Sequence, residues 1–357
     1  MESIICPSSQ ICSGCSEWKI PYPKQLENKK EYLKNKIGFS NIEILSIAPY
    51  GFRDHFDFTI EEGRLGLYSH QIQFIVDLPD CLQLSPKLRE FYLEFRRIKW
   101  PIQKGSVRLR VSPSGIKGAW LDFSNLDIKK LFEEENALLQ LMKICHVEIG
   151  QRKKTLTKQD RLKLEDPSLR PWSRTWMQEN EIPLYGTIAS FTQAGDRSNQ
   201  LLISEISQLT AQKDLQNILE YGCGNGNITF SMLNMDRKIS VLETEALSLL
   251  GLQKTAEKLG LTDRIKILDP KNLNSTIFQK KDLIVANPPR SGLTKFLAQM
   301  GNSLPPFFLY MSCFPETFAR DAQQLKELHY IPKNIRIVDQ FPQTKHFEII
   351  SMWEQKT

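Results

Sequence analysis

The sequence predicts an α/β domain, doubly wound around a largely parallel sheet and preceded by an antiparallel β-rich region. Three observations point there. Past Trp176, short apolar runs alternate with segments of helical periodicity. Two of those runs, ILEY before GCGNGN and LIVA before NPPR, stop abruptly in residues that cannot continue a strand. Between Asn41 and Phe123 the texture is different: FRDHFDFTI, GRLGLYS, IQFIVDL and SVRLRVSPSGIKGAWLDF are alternating or β-branched runs punctuated by glycine and proline. The change of pattern places a boundary near Ile182, giving regions 1–181 and 182–357.

A chain of 357 residues with 41% apolar and 25% charged residues is long enough for two cores and has ordinary globular composition. The opening MESIICPSSQ has neither a basic nor an apolar leader region, and no apolar run approaches a membrane span, so a cytoplasmic protein is expected. The net charge of +6 is unevenly spread. Between Gln151 and Trp176, eight basic residues (Arg152, Lys153, Lys154, Lys158, Arg161, Lys163, Arg170, Arg174) face three acids, a net of five positive charges. Such a stretch suits either a polyanion such as RNA or a solvated connector. Further elements are expected as helices at Pro23–Lys36, around Leu93–Lys99 and at Leu126–Cys145, with a strand at HVEIGQ. The lysine-rich face of the first helix reads as solvated or phosphate-facing.

Seven cysteines, an odd number, argue against a disulfide framework. Cys6, Cys12 and Cys15 follow C-x5-C-x2-C, and three thiolates this close converge on one soft metal centre. Cys81, in the loop-like LPDCLQLSP, is the candidate fourth ligand. An iron-sulfur cluster and zinc both fit a four-thiolate site.

In NILEYGCGNGNITF a strand breaks into a glycine turn before a helix, and Gly222, Gly224 and Gly226 allow a ligand close to the backbone at the strand's carboxyl end. Glu243 ends the next strand, where an acid commonly takes ribose hydroxyls. The spacing G-x-G-x-G departs from the dinucleotide fingerprint, and a nucleoside cofactor without a pyrophosphate, such as S-adenosylmethionine, fits better. In DLIVANPPR, two prolines hold the Asn287 amide at the same edge, with a donor and an acceptor suited to a planar base. Phe307–Met311 reads as a buried strand and Pro315 as the first residue of a helix, so Cys313 sits at the corner near a helix N-terminus, a setting that favours thiolate. His346 and Glu348, two apart in FPQTKHFEIISMW, share one face, and one of them is a candidate general base.

In this order the motifs resemble the RNA (uracil-5-)-methyltransferases, most closely the branch acting on uridine 747 of 23S rRNA: C-x5-C-x2-C, Cys81, GFRDHFDF, SFTQ ending at Gln193, EYGCGNGN, VLE, NPPRSG, MSCFPETFARD and FPQTKHFE. The resemblance implies a Rossmann-like class I methyltransferase domain over 182–357, with an antiparallel β-rich, iron-sulfur-binding and RNA-binding region over 1–181. It implies a 4Fe-4S cluster on Cys6, Cys12, Cys15 and Cys81, and S-adenosylmethionine contacts at Gln193, Gly222, Glu243 and Asn287. It also implies Cys313 as nucleophile, Glu348 as base and 23S rRNA as partner. Gly222 replaces a usual aromatic, Gly195 and Phe314 usual asparagines and Gln343 a common histidine, while Asn287 stands where much of the family has aspartate. The rival readings are an exocyclic-amine methyltransferase built on Asn287-Pro288-Pro289 and a non-catalytic RNA binder.

Overall fold

The computed structural model describes residues 6–100, 104–123, 128–211, 214–233 and 236–356. Leu126, the expected start of one helix, and the first five residues of the opening stretch read for a leader lie outside them. The chain forms two compact units, one of Met1–Lys19, Ala48–Ser173 and Gly186–Asp196, the other of Ile20–Ile47, Arg174–Tyr185 and Arg197–Thr357.

The second unit is built on an eight-stranded sheet. From one edge to the other its strands are Ile42–Ser46, Tyr330–Asp339, Glu348–Gln355, Phe307–Ser312, Leu283–Ala286, Asn217–Tyr221, Lys238–Leu242 and Ile265–Leu268. Glu348–Gln355 runs antiparallel to both neighbours and the other pairings are parallel. Leu283–Ala286 is buried at every position, as expected of a central parallel strand covered on both faces. One face packs Met311, Val338, Ile350 and Met352 into a core with Leu202 and Ile206 of the helix Asp196–Thr210. The opposite face packs Tyr310, Ile337 and Ile349 with Phe318 and Leu325 of the helix Pro315–Glu327. This is the predicted α/β architecture.

The units are not the two consecutive halves that a boundary at Ile182 describes. Ile42–Ser46 pairs in parallel with Ile335–Asp339, so the amino-terminal helix Tyr22–Ile37 and the strand after it complete the edge of the second unit's sheet. Ile182 and Leu184 also lie in that unit's core.

The first unit is the predicted β-rich region. Its sheet runs Phe74–Asp77, Arg64–Ser69, His55–Glu61, Lys104–Val111, Lys117–Asp122, His146–Ile149, Lys154–Lys158 and Leu162–Glu165. The described pairings are antiparallel except that of Lys117–Asp122 with His146–Ile149. The embedded helix is Pro86–Phe95, earlier than Leu93–Lys99, because Ser85 caps it by accepting from the Leu88 amide (3.4 Å) and Pro86 opens it. Part of the basic stretch after Gln151 forms the hairpin of the last two strands, while Arg170 and Arg174 lie in the separate strand Arg170–Met177. Among the described residues, no helix is long and apolar enough to cross a membrane.

Candidate active site

The sheet of the second unit brings several breaker-ended strands to one edge. Tyr221 stands level with Leu242 on one side and Ala286 on the other. The next residues tie the ends together: Gly222 N–H donates to Leu242 O (2.9 Å) and Asn287 N–H donates to Tyr221 O (2.9 Å). Gly222 has φ +78° and a Cβ there would lie 2.3 Å from Asn287 O, which explains why no aromatic stands at this position. Gly224, at φ +56°, faces open space instead. Glu243 closes the cradle, its carboxylate accepting from Gly224 N (2.9 Å), Thr244 N (2.6 Å) and Glu245 N (2.9 Å). The open glycine backbone, the fixed carboxylate and the half-buried Asn287 fit a ribose-bearing cofactor.

Gln193 belongs to the first unit, in the segment Gly186–Asp196. That segment is fastened by buried charges: Glu148 accepts from Ile188 N (2.9 Å), and Arg110 donates to Ser190 O (2.7 Å) and Thr192 Oγ1 (3.2 Å). Burial pulls the Arg110 guanidinium down to about 9, ahead of the charge of Arg108. At Gly195 a Cβ would lie 1.8 Å from Phe52 O, which leaves no room for asparagine.

Cys313 and Glu348 come together through strand register. Ser312 is opposite Ile349, so one further step sets Cys313 beside Glu348. The corner is fixed by Ser312 Oγ, which accepts from Phe314 N (3.2 Å). Glu348 is 6% exposed, and burial pushes its carboxyl up to about 8. Cys313 is half-buried. Its thiol is held above the ordinary range by burial first and by the Glu348 charge second, against the lowering charge and hydrogen bond of Arg290. Burial and Glu348 thus oppose the thiolate-favouring setting of the helix N-terminus. His346 does not share the setting of Glu348: it lies before the strand and is exposed.

Arg290 is the residue that sequence reasoning passed over. Its loop is pinned to the elements flanking Cys313: Asp321, fully buried, accepts from Leu293 N (2.7 Å) and Tyr310 Oη (2.7 Å), and Arg320 donates to Ser291 O (2.8 Å). The available signal was an arginine directly after the rigid Asn287-Pro288-Pro289 turn, together with the Arg320-Asp321 pair one helix after Cys313.

The amino-terminal cysteines all lie in the first unit and are half-buried free thiols. Burial raises Cys15 to about 12, with the charges of Cys81, Cys12 and Cys6 adding to it. Burial likewise raises Cys81 to about 11; the Gln83 amide opposes this, and Cys6 and Cys12 reinforce it. The four sulfurs are thus close enough to feel one another. Two are already addressed by N–H donors, Gly14 N to Cys12 Sγ (3.4 Å) and Gln83 Nε2 to Cys15 Sγ (3.6 Å). Among the described residues, no three His, Cys, Asp or Glu side chains stand in ligating arrangement. The donor set, four half-buried thiols in one unit, is chemically suited to a thiophilic group.

Comparison with known proteins gives the family and the fold. The family described as tRNA (Uracil-5-)-methyltransferase matches residues 264–356, the stretch with Asn287, Arg290, Cys313 and Glu348, and the methyltransferase small domain matches 188–300. An uncharacterized RNA methyltransferase of Bdellovibrio bacteriovorus is 37% identical over all of this chain and 96% of its own length. The 23S rRNA (uracil(747)-C(5))-methyltransferase of Haemophilus influenzae is 26% identical over 97% of this chain and 96% of its own. Among solved structures, the tRNA (uracil-54, C5)-methyltransferase of Pyrococcus abyssi in complex with S-adenosyl-L-homocysteine superposes with a TM-score of 0.73 at 18% identity, covering 96% of this chain and 86% of that one. It shares the fold, a Rossmann-like S-adenosylmethionine methyltransferase. The chain belongs to the RNA (uracil-5-)-methyltransferases and is an S-adenosylmethionine-dependent enzyme.

Proposed function

We propose that the protein methylates carbon 5 of a uridine in 23S rRNA, at a site like uridine 747, through a covalent bond between Cys313 and carbon 6 of the uracil. The observation that supports this reading most directly is the pairing of Cys313 with a buried Glu348 across neighbouring strands, with Arg290 on the sulfur. Carbon 5 of uracil is a poor nucleophile. Addition of the Cys313 sulfur to carbon 6, with loss of the thiol proton, turns the ring into an enolate and makes carbon 5 reactive. Arg290 lowers the free energy of the thiolate that must form.

S-adenosylmethionine would be held at Gly222, Glu243 and Asn287 and would supply the methyl group. Glu348 then takes the proton from carbon 5, the electron pair restores the ring double bond, and the sulfur leaves carbon 6. A carboxyl near 8 is well matched to that proton. Addition to carbon 6 comes from above the ring plane, so the uridine must be unstacked at a cost of about a few kcal/mol. The hairpin Lys154–Lys158 and Leu162–Glu165, with Arg152, Lys153, Lys158 and Arg161 exposed, is a candidate surface for phosphates of the cytoplasmic ribosomal RNA.

The test is the product. With methyl-labelled S-adenosylmethionine and a 23S rRNA fragment spanning uridine 747, nuclease digestion and mass analysis are expected to return 5-methyluridine from that position. Label on an exocyclic amine would replace the mechanism, and label at another uridine would replace the target.

The same reading assigns a 4Fe-4S cluster to Cys6, Cys12, Cys15 and Cys81, where it would tie the amino-terminal loop to the loop bearing Cys81. Anaerobic protein is expected to carry about four irons and four sulfides per chain. Zinc without iron would overturn the assignment.

A further inference from the structure

The lysines of the helix Tyr22–Ile37 suggest a surface element, yet its buried residues are Gln25, Lys29 and Leu33, one turn apart. Lys29 is 4% exposed and its ammonium lies 2.7 Å from Asp339 Oδ1, a carboxylate with no exposure at all. The ammonium also donates to Phe341 O (3.2 Å), and Tyr22 Oη donates to the other carboxylate oxygen (2.8 Å). Asp339 Oδ1 in turn accepts from Phe341 N (3.3 Å). One turn earlier along the helix, Gln25 exchanges two hydrogen bonds with Gln343, accepting from its backbone N–H (3.0 Å) and donating to its Oε1 (2.9 Å). Gln343 is held at φ +66°, a left-handed conformation unusual for a residue with a Cβ.

Burying an ion pair is an expensive way to gain stability, since desolvation cancels much of the attraction; its benefit is a single defined geometry. What this pair defines is the turn that hands the chain from one strand to the next. Asp339 ends the strand Tyr330–Asp339, and Gln343 lies halfway along the turn. The turn ends at Glu348, the first residue of the returning strand, opposite Val338. The amino-terminal helix therefore grips the approach to Glu348 at two points.

We infer that Lys29, with Asp339, Tyr22 and the Gln25–Gln343 exchange, is a positioning residue that sets where the Glu348 carboxylate meets the proton on carbon 5. The inference rests on the reading of Glu348 as the base. It acts on one step alone. After methyl transfer the carbon 5–hydrogen bond breaks toward Glu348, its electron pair re-forms the carbon 5–carbon 6 double bond, and the carbon 6–sulfur bond breaks to return the thiolate. A base displaced by a fraction of its reach slows that step and leaves the earlier addition untouched.

The test is single-turnover kinetics on the full chain carrying Lys29→Met or the milder Tyr22→Phe, with unmodified and 5-fluorouridine RNA. Adduct formation, read as a covalent protein–RNA band on denaturing gels, is expected to stay within about twofold of the parent. Release of methylated RNA is expected to slow roughly a hundredfold in Lys29→Met and several-fold in Tyr22→Phe, so that unmodified RNA accumulates as adduct. Parallel losses in both rates for both variants would mark a purely structural pair and overturn the inference, as would unchanged release. Glu348→Gln distinguishes the two levels: if it fails to accumulate adduct, the base assignment falls, whereas adduct in Glu348→Gln but not in Lys29→Met or Tyr22→Phe removes only the clamp.

Discussion

Replacing Cys313 by alanine is expected to abolish both methyl transfer and covalent capture of RNA containing 5-fluorouridine. The loss should be on the order of 10⁴-fold or more, the scale seen when a group that bonds to the substrate is removed. The reason lies in the ring: without a bond at carbon 6, carbon 5 carries too little electron density to attack a sulfonium methyl, and neither Arg290 nor Glu348 can supply that bond. Fluorine makes the same point from the other side, because it cannot leave carbon 5 as a proton and the adduct persists. In the parent the thiol is held up by burial and by Glu348, so the thiolate fraction, and with it adduct formation, should rise with pH across the neutral range. The alanine variant should fold normally, since Cys313 is half-buried and no cavity of consequence is opened. Turnover in Cys313→Ala within tenfold of the parent would remove the covalent mechanism while leaving the methyltransferase fold in place.

How far such a site can be read from sequence depends on how local its determinants are. The corners at Gly222, Asn287 and Cys313 were legible because each is a strand that stops in a residue unable to continue it, and each lands at the same edge of the sheet. The role of Arg290 was not, because an arginine at a loop tip acquires meaning only when the loop is known to fold back on the Cys313 sulfur. The opposing influences on that sulfur were not legible for the same reason: a helix N-terminus is visible in Phe314-Pro315-Glu316, but burial and a carboxyl brought across by antiparallel pairing are not. The place of the segment Ile20–Ile47 in the second unit was the least legible. Nothing near Ile42 announces a parallel partner at Ile335, and nothing in a lysine-rich helix announces that Lys29 is interior. The beginning of the helix Pro86–Phe95 could have been found, since Ser85-Pro86 is an ordinary start signal that the apolar run after it obscured.

Glu348→Gln is expected to stall the enzyme and stabilise it at once. In the folded protein the Glu348 carboxyl is raised to about 8 by burial alone, against 4.5 for the group in the open chain. Between those values the folded state binds the proton and the unfolded state has released it, so the contribution of Glu348 is fully present below pH about 4.5 and is lost as pH rises toward 8. Glutamine keeps the shape and carries no charge to desolvate. The variant should therefore match the parent in stability at acid pH and exceed it above pH 8, by an amount on the order of a few kcal/mol. Urea denaturation at the two ends of that range measures the gap; a constant gap, or one that closes with rising pH, would show that Glu348 carries no such penalty. Kinetically the amide cannot accept a proton, so adduct should form and persist, and the rise of product release with pH through about 8 expected of the parent should vanish. The two results have one cause. A carboxyl made reluctant to ionise by its surroundings destabilises the free protein near neutral pH, and that same reluctance is what draws the proton from carbon 5.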